Sequence, residues 1–260
     1  MRLAAFYENL AACGDLSATL DEAVDHGLEA IYISGGVLRD HPELPALFSG
    51  KGLPIEGLHQ HFDFAHNPLD RSYRGYVDLA AANGASSLLV VPGFIRPGED
   101  RARLLGNMVA AVRDCAAYGK ERGVTVCMEP FDHMDSPTRN AAGLLHFLDS
   151  VPDLACAFDT GNFICDSEDP LSLWPMFAGR TCLLHLKDRY PRSSDGKGVL
   201  CSDGMYCATA PVGSGIIPVR AFLQEAVNVN AVIELYGCDD VMPALRSSLA
   251  FVRACLGGDI

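Results

Sequence analysis

The stretch VTVCME at 124–129 passes through five apolar or β-branched residues and ends at a single carboxylate, Glu129. Short runs of this kind are typical of buried β-strands. A charged group at the end of such a run is costly to bury unless it has a partner. The pattern recurs three times, in LACAFD at 154–159, CLLH at 182–185 and AVIE at 231–234, which end at Asp159, His185 and Glu234. These four strand ends are the candidate functional positions of the chain.

The same rhythm extends over the whole sequence. Strand-like runs alternate with stretches of helical period such as Ser17–His26, where Ser17 would cap the first turn, and Asp100–Arg122. This alternation is typical of a parallel sheet built from βαβ units, and 260 residues match the ~250 of one closed barrel. The sequence predicts an α/β fold, a single (β/α)8 TIM barrel that occupies residues 1–260 as one domain. The expected strands are Leu3–Tyr7, Ala30–Ser34, Pro54–Leu58, Ser87–Val91, Thr125–Glu129, Ala155–Asp159, Cys182–Leu186 and Val232–Leu235.

The composition argues against several classes of function. The formal net charge is −13 and no run rich in Lys or Arg occurs, so the sequence predicts no nucleic-acid partner. The chain has neither a signal-peptide pattern at its start nor an apolar run near the roughly 18 residues that cross a bilayer. Its ten cysteines form no C-x-x-C pair, which favours free thiols in a reducing compartment. We therefore expect a soluble, cytoplasmic protein with no membrane partner. The oligomeric state stays open, a homo-oligomer included.

The four strand-end residues point to a metal site. A single carboxylate in this position has an ordinary alternative role, because it often caps a helix or pairs with Lys or Arg. Four such residues in four consecutive strands favour one shared partner, since carboxylates and an imidazole that converge on a cation offset one another. Glu129, Asp159, His185 and Glu234 form a hard donor set that suits one divalent metal ion, which would be Mn2+, Mg2+, Co2+ or Zn2+.

Five motifs give the C-terminal half a family resemblance: MEPFD at 128–132, FDTGN at 158–162, LHLKD at 184–188, PVGSGIIP at 211–218 and VIELYG at 232–237. In order and spacing they resemble the xylose isomerase-like TIM barrel superfamily of sugar isomerases and epimerases. The resemblance implies that the four strand-end residues bind one metal ion and that Glu129 and Glu234 also transfer protons. It further implies an isomerase or epimerase that acts on a sugar, sugar phosphate or keto-sugar through a metal-stabilised enediolate.

The chain departs from the family pattern around the substrate. Asn162 stands where the sugar epimerases commonly carry a histidine, and Pro191 stands where they tend to carry an arginine. Arg189 and Arg192 flank Pro191, and we expect Arg189 to bind substrate in its place. The family's second glutamate after the fifth strand falls at Asp135, which we expect to orient a substrate hydroxyl. These departures leave the substrate more open than the metal.

Two more side chains and one loop are expected near the site. His61 lies at the mouth of the third strand and would line the substrate pocket, although a histidine there also often bonds a neighbouring loop. Lys187 follows the histidine ligand and would hold a substrate oxygen, or else pair with a nearby carboxylate. Residues 188–217 are rich in Gly, Ser, Pro and Asp, and so long a connection in a barrel predicts a loop that covers the site.

Three other functions fit the same barrel less well. A dehydratase, which is a lyase, would use the same ligands to remove a β-hydroxyl from a keto-inositol or related keto-sugar. An apurinic endonuclease would need further histidines after the fourth and sixth strands, where the chain has VVPG at 90–93 and Asn162. A sugar-binding protein without turnover would have no reason to keep all four candidate ligands. The sequence therefore predicts an enzyme that acts on a small sugar-like molecule, with isomerase or epimerase first and lyase second.

Overall fold

Eight parallel strands close into a barrel in the computed structural model, which describes residues 1–226 and 228–257. Each strand pairs in parallel with two neighbours, and the first closes the ring against the last. The predicted (β/α)8 TIM barrel is confirmed, although the third strand extends to His61 instead of ending at Leu58. That residues 1–260 form one domain stays a prediction. The strands are β1 Leu3–Phe6, β2 Ala30–Ser34, β3 Ile55–His61, β4 Ser87–Val91, β5 Thr125–Met128, β6 Ala155–Asp159, β7 Thr181–Leu186 and β8 Asn230–Ile233.

Helices connect the strands and pack their apolar faces on the barrel. The carboxylate of Asp15 accepts from the Ala18 N–H at 3.1 Å, and that of Asp100 accepts from the Arg103 N–H at 3.1 Å, so each caps a helix. Ser17, the expected cap, lies inside its helix because Asp15 supplies the acceptor two residues earlier. In the described ranges, no helix is both long and apolar enough to cross a membrane. The helices are α1 Tyr7–Ala11, α2 Leu16–Asp25, α3 Gly35–Asp40, α4 Leu44–Gly50, α5 Tyr73–Ala82, α6 Arg101–Glu121, α7 Ala141–Ser150, α8 Pro170–Phe177, α9 Val219–Glu225 and α10 Val241–Cys255, with 3-10 turns at Phe163–Asp166 and Ala178–Arg180.

Side chains that point into the barrel form an apolar layer of their own. This layer contains Ala4, Phe6, Ala30, Tyr32, Leu89, Val91, Cys127, Ala157, Leu183 and Val232. Because successive side chains of a strand point to opposite faces, the residue two positions further along points inward again. On the last four strands those next inward positions are Glu129, Asp159, His185 and Glu234. The interior is thus apolar through its middle and ends in four polar side chains at the C-terminal side of the barrel.

The connection after β7, residues 188–217, is built from two short antiparallel strand pairs. Asp188–Arg189 pairs with Thr209–Ala210, and Val199–Leu200 pairs with Tyr206–Cys207. A cavity lies at the C-terminal end of the barrel, and we call it the main cavity. Four residues of this segment line it: Arg189, Gly198, Val199 and Thr209. The segment therefore lies where a covering loop was expected, and its closure over a substrate stays a prediction.

Asp188 anchors the returning end of this segment. Its Oδ2 accepts from the N–H groups of Gly213 and Gly215, both at 2.9 Å, and its Oδ1 accepts from the Ile217 N–H at 3.0 Å. The side chain is fully buried. A Cβ on Gly215 would collide with the Asp188 carboxylate, and Gly213 has a φ of +90°, so both positions require glycine. The G-x-G loop of PVGSGIIP thus holds a carboxylate of the protein itself.

Candidate metal centre

Glu129, Asp159, His185 and Glu234 come together at the C-terminal ends of β5 to β8. One donor atom from each lies within 4.8 Å of the others, and all four side chains are buried. The strand register keeps them close to one another. Asp159 pairs with His185 across β6 and β7, and Glu234 follows two residues after Val232, which pairs with His185 across β7 and β8. We refer to these four residues as the ligand cluster.

The imidazole of His185 lies between two carboxylates of the ligand cluster. Its Nδ1 is 2.9 Å from Glu129 Oε2 and 3.3 Å from Glu234 Oε2. Burial lowers the pKa of His185, but the two carboxylates outweigh burial and raise the pKa to about 10. Without an ion, the cluster therefore keeps a proton on this ring. A divalent cation would take the place of that proton, because a metal ligand must be deprotonated.

Asp159 has one oxygen that is held by the backbone and one that is not. Its Oδ1 accepts from the N–H groups of Gly161 at 2.7 Å and Asn162 at 2.8 Å. Its Oδ2 is buried and has no hydrogen-bond partner within the part of the chain that the structure describes. Burial and the two glutamates of the cluster raise the pKa of Asp159 to about 8. A buried oxygen without a donor is costly, so Oδ2 is suited to bind a cation.

Lys187 lies at the edge of the ligand cluster with its ammonium surrounded by oxygen atoms. Its Nζ is 2.5 Å from Glu234 Oε1 and 3.0 Å from Asn162 Oδ1, with Asp132 Oδ2 at 3.6 Å and Asp159 Oδ2 at 3.8 Å. Burial raises the pKa of Glu234, but Lys187 and the neighbouring imidazole more than reverse this and hold the pKa well below its usual range. Lys187 also lines the main cavity, so it both pairs with Glu234 and faces the space for a substrate.

Arg189 is buried and its guanidinium is engaged by the protein. Its Nη2 is 2.5 Å from Asp132 Oδ2 and 2.9 Å from Asn162 Oδ1. Its other N–H groups face the Gly161 and Cys207 carbonyls and the Thr209 hydroxyl at 3.3–3.4 Å. The five donors of the guanidinium thus have acceptors in the protein, and a contact of Arg189 with substrate stays a prediction, since the residue lines the cavity. Burial raises the pKa of Asp132, but Lys187 and Arg189 outweigh burial and lower it.

The main cavity opens directly above the ligand cluster and has a volume of about 550 Å³. That size lies within the ~300–1,000 Å³ of typical small-molecule sites. His61 lines it and meets the ring of Phe131 edge-on at 5.5 Å. Desolvation by the cavity walls, together with the nearby His59, lowers the pKa of His61 although part of its ring is exposed. The apolar part of the lining consists of Phe6, Leu89, Val91, Phe131 and Val199.

Asp135 does not line this cavity, whereas Asp132 does. The Asp135 carbonyl accepts from the Ile95 N–H at 2.9 Å, and its own N–H donates to His133 Nδ1 at 3.1 Å. These bonds fold the loop after β5, where the alternation of a strand no longer predicts which way a side chain points. Asp132 was missed although it ends the MEPFD motif that marked this loop. Tyr236, two positions after Glu234 in the same inward row, was also missed and lines the cavity.

Several solved structures of low sequence identity are similar to this chain. A probable 3-DHS dehydratase, AsbF from Bacillus anthracis, is 16% identical over 97% of this chain and 98% of that chain, with a TM-score of 0.77. D-Psicose 3-epimerase from Clostridium cellulolyticum H10, solved with D-tagatose, is 16% identical over 98% and 99%, with a TM-score of 0.70. A xylose isomerase-like TIM barrel protein from Mycobacterium smegmatis, in complex with magnesium, is 14% identical over 92% and 87%, with a TM-score of 0.69. At these identities the likeness shows the fold.

Sequence similarity identifies the family. No curated protein sequence matches this chain. The family model described as xylose isomerase-like TIM barrel matches residues 20–255, which include β2 to β8 and the whole ligand cluster. The family that the five motifs resemble is thereby confirmed, and the chain belongs to the xylose isomerase-like TIM barrel family.

Proposed function

We propose that this protein is a metal-dependent sugar isomerase or epimerase in which Glu129 and Glu234 carry protons to and from a carbon beside a carbonyl. The observation that carries the proposal is that both carboxylates line one cavity and approach the same nitrogen, His185 Nδ1. They reach it from β5 and β8, which β6 and β7 separate in the barrel. Two carboxylates that enter a cavity from separate strands supply one group to remove a proton and another to return one.

The ligand cluster fits one divalent cation, which we propose as the cofactor. Its donors are three carboxylates and one imidazole, all buried, and Asp159 Oδ2 lacks a hydrogen-bond partner among the described residues. This donor set suits Mn2+, Mg2+, Co2+ or Zn2+. When bound, such an ion polarises a carbonyl and offsets the negative charge that develops when a proton leaves the neighbouring carbon.

Lys187 pairs with Glu234 and keeps it ionised. Its ammonium, 2.5 Å from Glu234 Oε1, helps to hold the pKa of that carboxyl below its usual range. Glu234 is therefore ionised at neutral pH, as a proton acceptor must be. Asn162 Oδ1 accepts from both Lys187 and Arg189 and so fixes the ammonium in place. We propose that the same ammonium contacts a substrate oxygen, since Lys187 lines the cavity.

A dehydratase is the second candidate. After the same proton removal, a lyase acting on a keto-inositol or related keto-sugar would lose a β-hydroxyl, and this step needs an acid beside the departing oxygen. His61 lines the same cavity and is a candidate for that acid. One similar structure, AsbF, is described as a probable dehydratase. The products separate the two functions, because dehydration forms a new double bond and isomerisation does not.

Hydrogen exchange with solvent tests the proposal. Protein supplemented with metal is incubated in D2O with ketoses, keto-inositols and hydroxypyruvate, and each compound is followed by NMR. We expect deuterium at one carbon beside the carbonyl, together with an isomer or epimer of the starting compound. A product with a new double bond would assign the lyase function instead. Absence of exchange in all of these compounds, with metal bound, would contradict proton transfer at this site.

A further inference from the structure

The cationic side chains of the cavity are already paired with carboxylates of the protein. Arg189 directs its five N–H groups at protein acceptors, with Asp132 closest at 2.5 Å. Lys187 has Glu234 Oε1 at 2.5 Å, Asn162 Oδ1 at 3.0 Å and Asp132 Oδ2 at 3.6 Å around its ammonium. Within the described ranges, the lining contains no further Lys or Arg. A phosphate that entered would have to take a cation away from a buried carboxylate.

The charges of the site also balance before any substrate binds. With one divalent ion bound as proposed above, four carboxylates would be offset by that ion and by two cationic side chains, and the His185 ring would be neutral as a ligand. The charged side chains in this balance are Glu129, Asp132, Asp159, Glu234, Lys187 and Arg189. A phosphate ester would add about −1.5 to −2 charges at neutral pH. A buried charge without a partner is strongly unfavourable, so the balanced site disfavours it.

The remaining lining contains no Lys, Arg, Asp or Glu among the described residues. Val91, Phe131 and Val199 offer apolar surface, and the Thr209 and Tyr236 side chains carry neutral hydroxyl groups. Apolar surface of this kind packs against the C–H groups of a polyol, whose hydroxyl and carbonyl oxygens would turn to the ligand cluster. The lining therefore accommodates a neutral polyhydroxylated molecule.

Two further basic residues of the segment 188–217 do not change the charge balance of the cavity. Arg192 pairs with Asp203 at 2.5 Å. Lys197 is exposed and lines a neighbouring groove that also contains three acidic residues, Asp195, Asp239 and Asp240. The approach to the cavity from this segment is therefore acidic and would not attract an anion.

We propose, on the basis of the function proposed above, that the substrate is an uncharged polyhydroxylated carbonyl compound, such as a free ketose or keto-inositol, which carries neither a phosphate nor a carboxylate. Selectivity against anions comes from the pairing of Lys187 and Arg189 with protein carboxylates, since the described lining offers no other Lys or Arg.

Matched pairs of ligands test this proposal. Binding to the metal-loaded protein is measured by calorimetry for D-tagatose beside D-tagatose 6-phosphate, D-fructose beside D-fructose 6-phosphate, and dihydroxyacetone beside hydroxypyruvate. We expect an uncharged member to bind and its charged partner to bind at least tenfold more weakly. Tighter binding of the charged members, or no binding of any uncharged member at millimolar concentration, would overturn the proposal. Hydrogen exchange is measured separately, so binding of uncharged ligands without exchange would reject only the isomerase function.

A pair of arginine variants tests the cause of the selectivity. Val199 lines the cavity, whereas its neighbour Leu200 is 39% exposed and lies outside the lining. Val199→Arg adds an unpaired cation to the cavity. The ratio of the Kd for D-tagatose 6-phosphate to the Kd for D-tagatose should therefore fall at least tenfold. Leu200→Arg adds the same charge outside the cavity lining and should leave this ratio of dissociation constants unchanged. Equal effects of the two variants would show that the net charge of the protein determines the selectivity. That result would overturn the explanation from the charges in the cavity.

Discussion

The ammonium of Lys187 lies 2.5 Å from Oε1 of Glu234, and the two side chains are only 4% and 6% exposed. The same ammonium has a carboxylate oxygen of Asp159 at 3.8 Å and one of Asp132 at 3.6 Å. In the ion-free protein, this one cation therefore offsets the charge of Glu234 and Asp132 and lies close to Asp159, whose pKa burial and the cluster glutamates raise to about 8. A metal ion bound at the ligand cluster would offset the charge of the same carboxylates. The stability of the folded protein should therefore depend on whether the metal is bound.

Lys187→Met should destabilise the ion-free protein by about 3–5 kcal/mol, because removal of one partner leaves a buried charge uncompensated. Addition of metal should recover part of this loss. Urea unfolding of both proteins, with and without metal, measures the difference. Lys197→Met is the matched control, since Lys197 is exposed, and it should change the free energy of unfolding by less than about 0.5 kcal/mol. An identical loss with and without metal would show that lysine and ion act independently.

The purified protein should hold about one divalent ion per chain, and His185→Ala should lose it, because Nδ1 of His185 lies within 3.3 Å of two cluster carboxylates. Elemental analysis measures the content. His146→Ala, at an exposed histidine of α7, serves as control and should keep the ion. Metal at 100 times its Kd should stabilise the chelated wild-type protein by about 2.7 kcal/mol. Full activity after exhaustive chelation would contradict a metal-dependent reaction.

The barrel and the ligand cluster were predictable from the sequence because both depend on strand periodicity. A strand of two-residue period fixes which face Cys127, Ala157 and Val232 occupy, and hence where the polar residues two positions later point. The closed ring of parallel strands then brings those positions to one end of the barrel. Neither inference needs any knowledge of loops.

The surroundings of the cluster were less predictable because they depend on loops and on long side chains. Asp135 was expected at the substrate, but the loop after β5 turns and presents Asp132 instead. The pairing of Arg189 with Asp132 and Asn162 could not be predicted, because these partners come from other loops, which sequence spacing does not bring together. The role of Asp188 as an anchor for Gly213 and Gly215 depends in the same way on tertiary contacts.

A substrate should protect residues 188–217 from proteolysis. The segment contributes Val199 and Thr209 to the cavity lining, so a ligand in the cavity would contact it. Limited proteolysis with and without saturating D-tagatose, followed by mass spectrometry, locates the cleavage sites. Cleavage at unchanged rates with the cavity occupied would show that the segment does not close.

Asp188→Asn should increase cleavage of the same segment even without ligand. The carboxylate accepts from four backbone N–H groups, those of Arg189, Gly213, Gly215 and Ile217, and a carboxamide offers one acceptor oxygen in place of two. Asp195→Asn is the control, because the Asp195 carboxylate accepts from the Lys197 N–H within an exposed turn. Comparable cleavage of the two variants would mean that Asp188 is not the anchor.

His61 should give the activity an acid limb with a midpoint below pH 6.5. Desolvation in the cavity and the nearby His59 lower its pKa from the ordinary value of 6.5, so the ring is protonated only at lower pH. If the neutral ring contacts substrate, kcat/KM falls as the pH drops through that lowered pKa, and His61→Asn removes this limb. His66→Asn, at an exposed histidine outside the cavity lining, should keep it. A limb centred above pH 6.5 would assign the titration to another group.

Glu129→Gln and Glu234→Gln should separate metal binding from proton transfer. The amide oxygen of glutamine still coordinates a cation, so each variant should retain much of its metal affinity. The amide is not a base, however, and turnover should fall by about 100-fold or more, the usual scale for a positioned acid or base. Metal content and turnover are measured for each variant. Asp135→Asn is the control, because Asp135 is a carboxylate in the loop that follows Glu129 but lies outside the cavity lining. This variant should leave turnover unchanged.

The two variants should also fail at different steps if each glutamate handles a different proton. The variant that keeps the proton-removing glutamate would still exchange substrate hydrogen with solvent. It would form no product, because the glutamate that returns a proton to the substrate is missing. The other would show no exchange at all. Full activity in a metal-loaded glutamine variant would exclude that glutamate from proton transfer. The base would then be a neighbouring group such as His61, which lines the cavity, and not Asp188, whose carboxylate oxygens are both engaged by backbone N–H groups.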